Sequence, residues 1–286
     1  MVNVAELNTE AVKTWCPGCG NFGILMAVKQ AITKLNLDPS NVAMVSGIGC
    51  HGKIVDYVRV NGFHGIHGRV LPIATGIKLA NHKLTIIGHG GDGDEYAIGF
   101  GHFSHAIRRN IDITLVVHNN MVYGLTTGQT APTSQKGFVT KSTPFGSIEL
   151  PINPLTIAIA SGATFVARGY AGNLKHLVEI LVKAIKHKGF SLVDVLQPCV
   201  VFNRVNTYDF YNKRVYKLED DPSYNPHDKI MAFERALEWG DKIPIGVFYE
   251  EERPTFEEQL PQLEKEPLVQ QSLDNIDISK LLEEFK

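Results

Sequence analysis

The four cysteines of this chain all precede residue 200, and their placement suggests metal chemistry. Cys16 and Cys19 flank a Pro-Gly turn, Cys50 lies in GIGCHGK, and Cys199 lies in QPC. Four thiolates are enough for either a tetrahedral zinc site or a 4Fe–4S cluster, and their spacing does not choose between the two. The cysteines are too few and too unevenly spaced for a secreted disulfide scaffold, so we expect them to bind metal in a reducing compartment.

Oxygen ligands for a harder cation occur further along the chain. The stretch GGDGD places Asp92 between glycines, and Asn120 stands 28 residues later in the pair Asn119-Asn120. Mg²⁺ takes oxygen ligands and is commonly shared between one or two protein groups and substrate phosphates. Glycines also let backbone N–H groups approach a diphosphate closely. A lone GDG is a common structural turn, but with the asparagine pair at this distance it favours a site for Mg²⁺ and a diphosphate.

Alternating helical and strand-like stretches would position both groups. Apolar residues with helical period predict helices, and short β-rich runs predict strands. The predicted helices lie within residues 24–35, 71–82, 95–110 and 173–189, and the predicted strands at 42–48, 84–90, 113–120, 164–169 and 190–198. This alternation predicts an α/β fold with a mainly parallel sheet and helices on both faces. Ligands bind outside the carboxyl ends of such strands, where the unusual loops would meet.

Composition and charge narrow the class of protein. The chain has 286 residues, of which 44 % are hydrophobic, enough for one α/β domain with an extension. Residues 1–200 carry 17 Lys/Arg against 11 Asp/Glu, which would suit an anionic ligand and an acidic partner, although a solvated surface explains the same numbers. We expect a cytoplasmic protein, since no signal-like or membrane-length apolar run occurs. No basic run interleaved with aromatic residues indicates nucleic-acid binding.

The last part of the chain differs from the rest. Residues 201–286 carry 11 Lys/Arg against 19 Asp/Glu and are punctuated by proline, with helical stretches at 227–240 and 277–286. We therefore divide the chain into a cofactor- and metal-binding domain, residues 1–200, and a C-terminal extension, residues 201–286. The extension either packs on a partner subunit or is partly disordered.

Several motifs resemble those of known enzymes. The GDG with its asparagine pair resembles the diphosphate-binding domain of thiamine diphosphate enzymes. Longer stretches are similar to the β subunit of 2-oxoacid:ferredoxin oxidoreductases over residues 12–215, namely WCPGCGNFG, GIGCHGK, HGIHGRVLPIATGIKLAN, GGDGDEYAIGFGHFSHAIRRN and HNNMVYGLTTGQTAPTS. This resemblance implies a thiamine diphosphate-binding fold with thiamine diphosphate, Mg²⁺ and one 4Fe–4S cluster. It also implies oxidation of a 2-oxoacid with coenzyme A to acyl-CoA and CO₂, with electrons passing through the cluster to ferredoxin.

The resemblance assigns ligands to the metals and the cofactor. The implied cluster ligands are Cys16, Cys19, Cys50 and Cys199. The implied Mg²⁺ ligands are Asp92, Asn120 and the backbone oxygen of Val122. The residues implied to line the thiamine diphosphate are Ile48, Gly49, Cys50, His51, His67, Gly68, Gly93, Asp94, Gly124 and Leu125.

Two further residues are candidates for handling the substrate. His67, in HGR, is a candidate catalytic residue with Arg69 beside it, whereas His89 and His102 fit structural roles better. Lys53 follows Cys50 by three residues and could pair with a substrate carboxylate, as the resemblance to members that accept 2-oxoglutarate or several 2-oxoacids implies. A solvated surface lysine is the alternative.

The family also implies a partner. A glutamate activates the aminopyrimidine ring in thiamine enzymes and normally comes from a separate domain, which this chain has no room to form. We therefore expect an obligate α subunit that supplies the glutamate and most of the coenzyme A and substrate pocket, in an αβ unit that pairs again. Two other hypotheses stay open: a non-redox thiamine-dependent decarboxylase subunit with a structural zinc, and a metal-stabilised nucleotide-binding module without chemistry.

Overall fold

The computed structural model describes residues 2–274 and 276–286, and its strands form one sheet. The strands are β1 Val42–Ser46, β2 Asn61–His64, β3 Thr85–Gly91, β4 Thr114–Asn119, β5 Phe165–Tyr170, β6 Ser191–Leu196, β7 Val215–Lys217 and β8 Ile243–Glu250. They lie in the order β2-β1-β3-β4-β6-β5-β8-β7, and every neighbouring pair is parallel except β5 and β8. The predicted α/β fold with a mainly parallel sheet is confirmed.

Helices cover both faces of this sheet. The α-helices of the described residues are α1 Asn21–Lys34, α2 Val70–Ala80, α3 Phe100–Arg109, α4 Pro154–Ala160, α5 Leu174–Lys186, α6 Tyr208–Asn212, α7 Lys229–Leu237 and α8 Ser279–Glu283. Successive strand residues point to opposite faces. Met44 therefore packs in one core cluster with α1 and α5, and Val45 in the other with α2, α3, α4 and α7. Within the described residues, no helix is both long and apolar enough to cross a membrane.

The strands that carry the unusual loops are direct neighbours. β1, β3, β4 and β6 lie side by side, so the loops at their carboxyl ends meet at one edge of the sheet. The loop after β1 continues as a 3₁₀ helix, Cys50–Asp56, and β3 is followed by a π-helical turn, Asp94–Ile98. Glycine is needed where these loops cross, because a Cβ at Gly47 would overlap the carboxylate of Asp94.

The C-terminal extension contributes to the sheet. β8 pairs antiparallel with β5 and is buried along nearly its whole length, and β7 lies beside it. The sequence did not predict these strands, since proline and glycine interrupt IPIGVFYE. It also did not predict β2, α4 or α6. After Glu250 the chain runs through short 3₁₀ turns to α8, whose residues are exposed. Packing of this segment on a partner stays a prediction.

Candidate cofactor and metal site

A cavity of about 440 Å³ opens at the carboxyl edge of the sheet, between the loops that follow β1, β3 and β4. Such a volume suits a small-molecule cofactor. Apart from Gly68, the cavity is lined by every residue that the sequence places at thiamine diphosphate or Mg²⁺: Ile48, Gly49, Cys50, His51, His67, Asp92, Gly93, Asp94, Asn120, Val122, Gly124 and Leu125. The structure thus brings these residues together, while their individual roles stay predictions.

The buried carboxylate of Asp94 ties two histidines to this cavity. His51 Nε2 hydrogen-bonds Asp94 Oδ2 at 3.1 Å, and the backbone N–H of Gly68 donates to Oδ1 at 2.6 Å. His67 Nδ1 lies 2.8 Å from the same Oδ1, without the alignment of a hydrogen bond. Burial alone would raise the pKa of Asp94, but the bond and charge of His51, with Gly68 and His67, outweigh it and lower the pKa.

Asp92 is a buried carboxylate that forms no ion pair with any residue that the structure describes. Its Oδ2 accepts a hydrogen bond from Thr133 Oγ1 at 2.6 Å, and burial raises its pKa to about 7. A bound cation would supply the missing positive charge. Among the described residues, Asn120 Oδ1 accepts a hydrogen bond only from the N–H of Val122, at 3.1 Å, so this amide oxygen keeps a free lone pair. The donor set therefore fits a Mg²⁺ that is completed by diphosphate oxygens.

A network of buried polar side chains contacts Asp92, and the sequence did not predict this network. Thr133 Oγ1 also lies 3.0 Å from Asn119 Oδ1, and Asn119 Nδ2 donates to Asp194 Oδ1 at 3.1 Å. Asp194 accepts a further bond from Tyr96 at 2.9 Å and lies 3.9 Å from Arg168 Nε. The sequence does contain a signal for this network, because Arg168 and Asp194 are charged residues inside the apolar runs TFVARG and FSLVDVLQP.

All four cysteines line a second cavity of about 190 Å³. Trp15 Nε1 donates to the carbonyl of Cys50 at 2.6 Å, and Gln197 Nε2 donates to Cys19 Sγ at 3.4 Å. Burial raises the pKa of Cys19 to about 12, and the charges of the other three thiolates add to this shift. Metal binding would offset both effects, since bound cations hold cysteines deprotonated. The loops therefore form a thiol-lined cavity suited to metal.

The two cavities share a wall. Cys50, Asn120, Gly124 and Leu125 line both of them. A Cβ at Gly124 would lie 3.6 Å from Cys50 Sγ and 4.0 Å from Cys199 Sγ, so the loop after β4 passes close to two of the thiols. A cofactor in the first cavity and a metal centre in the second would therefore be near neighbours.

The remaining candidates lie in different surroundings. Lys53 does not line the larger cavity: its Nζ donates to Thr14 Oγ1 at 2.9 Å, beside the cysteine cavity. The guanidinium of Arg69 donates back to the carbonyl of Gly68 at 3.1 Å. His89 is buried against His118, with 3.0 Å between their nitrogens, and its burial lowers its pKa to about 3. His102 lies on α3, outside both cavities.

The sequence did not predict Gly91, Tyr123 and Thr126 as lining residues of the larger cavity, and Tyr123 makes a specific contact there. The Tyr123 hydroxyl donates to the carbonyl of Gly93 at 3.2 Å, and a Cβ at Gly93 would overlap the Tyr123 ring. This contact joins the loops after β3 and β4. The residue stands within HNNMVYGLT, so its position beside the asparagine pair was the available signal.

Fold and site together define the class of protein. The family model described as the C-terminal, thiamine pyrophosphate-binding domain of thiamine pyrophosphate enzymes matches residues 25–195. This range contains β1 to β5, all but the last residue of β6, and the loops around the larger cavity. The model described as the C-terminal part of the pyruvate ferredoxin oxidoreductase β subunit matches residues 199–265. The chain is therefore built on a thiamine diphosphate-binding domain.

Relatives along nearly the whole chain narrow this class to one family. The β subunit of a 2-oxoacid:ferredoxin oxidoreductase from Saccharolobus solfataricus is 55 % identical, over 86 % of this chain and 84 % of the relative. A β subunit of the same kind from Aeropyrum pernix is 51 % identical, over 91 % and 85 %. The chain belongs to the family of 2-oxoacid:ferredoxin oxidoreductase β subunits, which are oxidoreductase components that work with a partner subunit.

A solved structure agrees with this assignment. The 2-oxoglutarate:ferredoxin oxidoreductase from Magnetococcus marinus, determined with 2-oxoglutarate, coenzyme A and succinyl-CoA bound, superposes with a TM-score of 0.92. The match covers 100 % of this chain and 96 % of that one at 35 % identity. The shared fold therefore includes the strands that the extension adds to the sheet.

Proposed function

We propose that this chain binds Mg²⁺–thiamine diphosphate and one 4Fe–4S cluster, and that with an α subunit it oxidatively decarboxylates 2-oxoacids with coenzyme A and reduces ferredoxin. The observation that carries the proposal is the shared wall of the two cavities. Electron transfer from a cofactor to a cluster requires the two to be close, and Cys50 belongs to both sites. Neither rival hypothesis gives a reason for this arrangement.

The chain's own residues would hold and orient the cofactor. Asp92, Asn120 and the backbone oxygen of Val122 would hold Mg²⁺, and glycines of the loop after β3 allow close approach of the diphosphate. Thiamine diphosphate, when bound, supplies the nucleophilic carbon and the electron sink for decarboxylation. His67, placed by Asp94 at the cavity surface with 35 % of its side chain exposed, would exchange a proton with the substrate.

The place of the cysteines favours a cluster over zinc. The four thiols line a cavity that shares a wall with the cofactor cavity, and Cys50 belongs to both. A structural zinc ion has no redox chemistry and would gain nothing from that position. A 4Fe–4S cluster binds each of four thiolates at a separate iron and would accept electrons there.

An α subunit would complete the cofactor cavity. Ile48, Ile66, Ile98 and Leu125 lie at or beside the cavity and are 40 to 69 % exposed. Exposed apolar residues grouped at a site mark a surface that another protein or a ligand covers. A subunit docked here would exclude water and bring the glutamate for the aminopyrimidine ring, coenzyme A and most of the substrate pocket.

The test is metal analysis of the αβ complex, purified without oxygen. We expect about four irons and four sulfides per β chain, as a Cys₄ cubane requires. An EPR signal of the reduced cluster should develop when 2-oxoglutarate and coenzyme A are added. One zinc per chain, no iron, and aldehyde as product would refute the proposal and support the non-redox decarboxylase.

A further inference from the structure

One side of the cysteine cavity reaches the protein surface. Cys16 is exposed whereas Cys19 is buried, so the Cys-x-x-Cys turn spans from the interior to solvent. Val200 packs near this turn, with its Cγ1 3.7 Å from the place of a Cβ on Gly18. Val200 and Val201 are 42 % and 39 % exposed and line the same cavity as the cysteines. A cluster in this cavity would therefore lie under a small apolar surface.

Basic residues outnumber acidic ones in the segments that carry the cysteines. The cysteines lie within three segments of the sequence: residues 10–19, 50–59 and 199–206. They contain four basic residues, Lys13, Lys53, Arg59 and Arg204, and two acidic residues, Glu10 and Asp56. Lys13 and Arg204 are both exposed. An apolar centre with a charged rim is the usual composition of a small transient interface, and the rim sets the preferred sign of the partner.

We propose that the surface formed by Cys16, Pro17, Val200 and Val201, with Lys13 and Arg204 at its rim, docks an electron carrier whose own redox centre lies under an acidic face. The proposal rests on the proposed function, since it needs a cluster in the cysteine cavity. One electron passes from the reduced cluster of this chain to the oxidised carrier, and no bond forms or breaks. Oxidation of one 2-oxoacid releases two electrons, so two carriers dock in turn.

The test is a charge reversal at the rim, in the complete αβ complex. We expect Lys13→Glu with Arg204→Glu to raise the KM for an acidic bacterial-type ferredoxin about tenfold, because steering by opposite charges accelerates association. The variant should also lose most of the salt dependence of this KM. Reduction of methyl viologen by 2-oxoglutarate and coenzyme A should not change, since this small dye needs no docking surface.

Two controls separate the possible outcomes. Lys83→Glu changes the charge of an exposed lysine in the turn before β3, at the opposite edge of the sheet, and should leave the ferredoxin KM unaltered. Lys13→Arg with Arg204→Lys keeps the charge and should behave like the parent. An unaltered ferredoxin KM in the charge-reversed variant would overturn the proposal. Dissociation of the α subunit from that variant would also overturn it, because the surface would then be part of the contact with α. Failure of the parent complex to reduce methyl viologen would instead refute the proposed function, and the docking proposal with it.

Discussion

At the scale of single residues, burial separates the roles of neighbouring polar groups. Asp92 and Asp94 are two positions apart, yet burial raises the pKa of Asp92 whereas two imidazoles and a backbone N–H lower that of Asp94. Asp94 thus stays ionised and can orient His51 and His67. Asp92 is left in need of a cation. The pKa values of the two carboxylates of one GDGD stretch therefore shift in opposite directions because their partners differ.

The buried histidine pair should make the fold sensitive to acid. His89 is fully buried, and its folded pKa of about 3 lies below the value of an unfolded chain. The unfolded state therefore binds the proton first, so stability is lost as pH falls below about 6.5, with the full loss reached near the folded pKa. Between pH 6.5 and 5 this amounts to about 2 kcal/mol. Urea unfolding of the apo chain at pH 7.5 and pH 5 measures the loss, which should shrink in His89→Gln.

A control distinguishes this effect from a loss of folding stability at low pH that has other causes. His227→Gln removes an exposed histidine and should leave the difference between the two pH values as it is in the parent. If His89→Gln kept the full difference as well, the acid sensitivity would not come from the buried pair.

Lys53 provides a test of substrate selection. If its amine pairs with the distal carboxylate of 2-oxoglutarate, Lys53→Ile should lower kcat/KM for 2-oxoglutarate about tenfold and change that for pyruvate little. The structure supplies a matched control: Thr14→Val removes the hydroxyl that accepts the hydrogen bond of Lys53 Nζ but keeps the lysine and its charge. Steady-state kinetics with both substrates make the comparison. Equal losses on the two substrates would exclude a role for Lys53 in selection.

At the scale of elements, the end of β4 and the middle of β6 cooperate in placing Asp92. Asn119 donates a hydrogen bond to Asp194, Thr133 donates one to Asp92, and Thr133 Oγ1 lies 3.0 Å from Asn119 Oδ1. All four side chains are buried. A buried network of polar side chains holds each side chain in one geometry. Its effect on the cofactor should therefore be separable from its effect on the fold.

We expect Thr133→Val to weaken Mg²⁺-dependent binding of thiamine diphosphate about tenfold, because the Asp92 carboxylate loses its short hydrogen bond. Thr133→Ser keeps the hydroxyl and should bind like the parent. Titration calorimetry of the αβ complex, stripped of cofactor and held at fixed Mg²⁺, measures the affinity, and thermal unfolding of the stripped protein monitors the fold. Parent-like affinity for thiamine diphosphate in Thr133→Val would show that these buried polar contacts support only the fold.

The sequence predicted the elements with a strong period and missed those without one. β1, β3, β4, β5 and β6 were found because parallel strands buried on both faces read as apolar runs. The loops after them were found because glycine, cysteine and asparagine stand out in such runs. β8 contains Pro244 and Gly246, and β2 is exposed along its length, so neither shows the pattern. The Thr133 and Asp194 contacts could not be predicted, since they depend on how distant segments pack.

At the scale of the whole molecule, the two cavities differ in whether they depend on a partner subunit. All four cysteines come from this chain and meet without help from a partner. The cofactor cavity, by contrast, has side chains that could bind a diphosphate and an exposed apolar rim, and no glutamate of the described residues lines it. The cluster should therefore form in the isolated β chain, whereas catalysis should require α.

We expect the β chain expressed alone, without oxygen, to contain about four irons and to be unable to reduce methyl viologen with 2-oxoglutarate and coenzyme A. Addition of separately purified α should restore the activity without adding iron, because α completes the cofactor cavity and not the cysteine cavity. A Cys199→Ser variant is the matched control: it should lose the iron and should not regain activity with α. Viologen reduction by the β chain alone would contradict this division, because it would mean that one chain holds both halves of the thiamine diphosphate site.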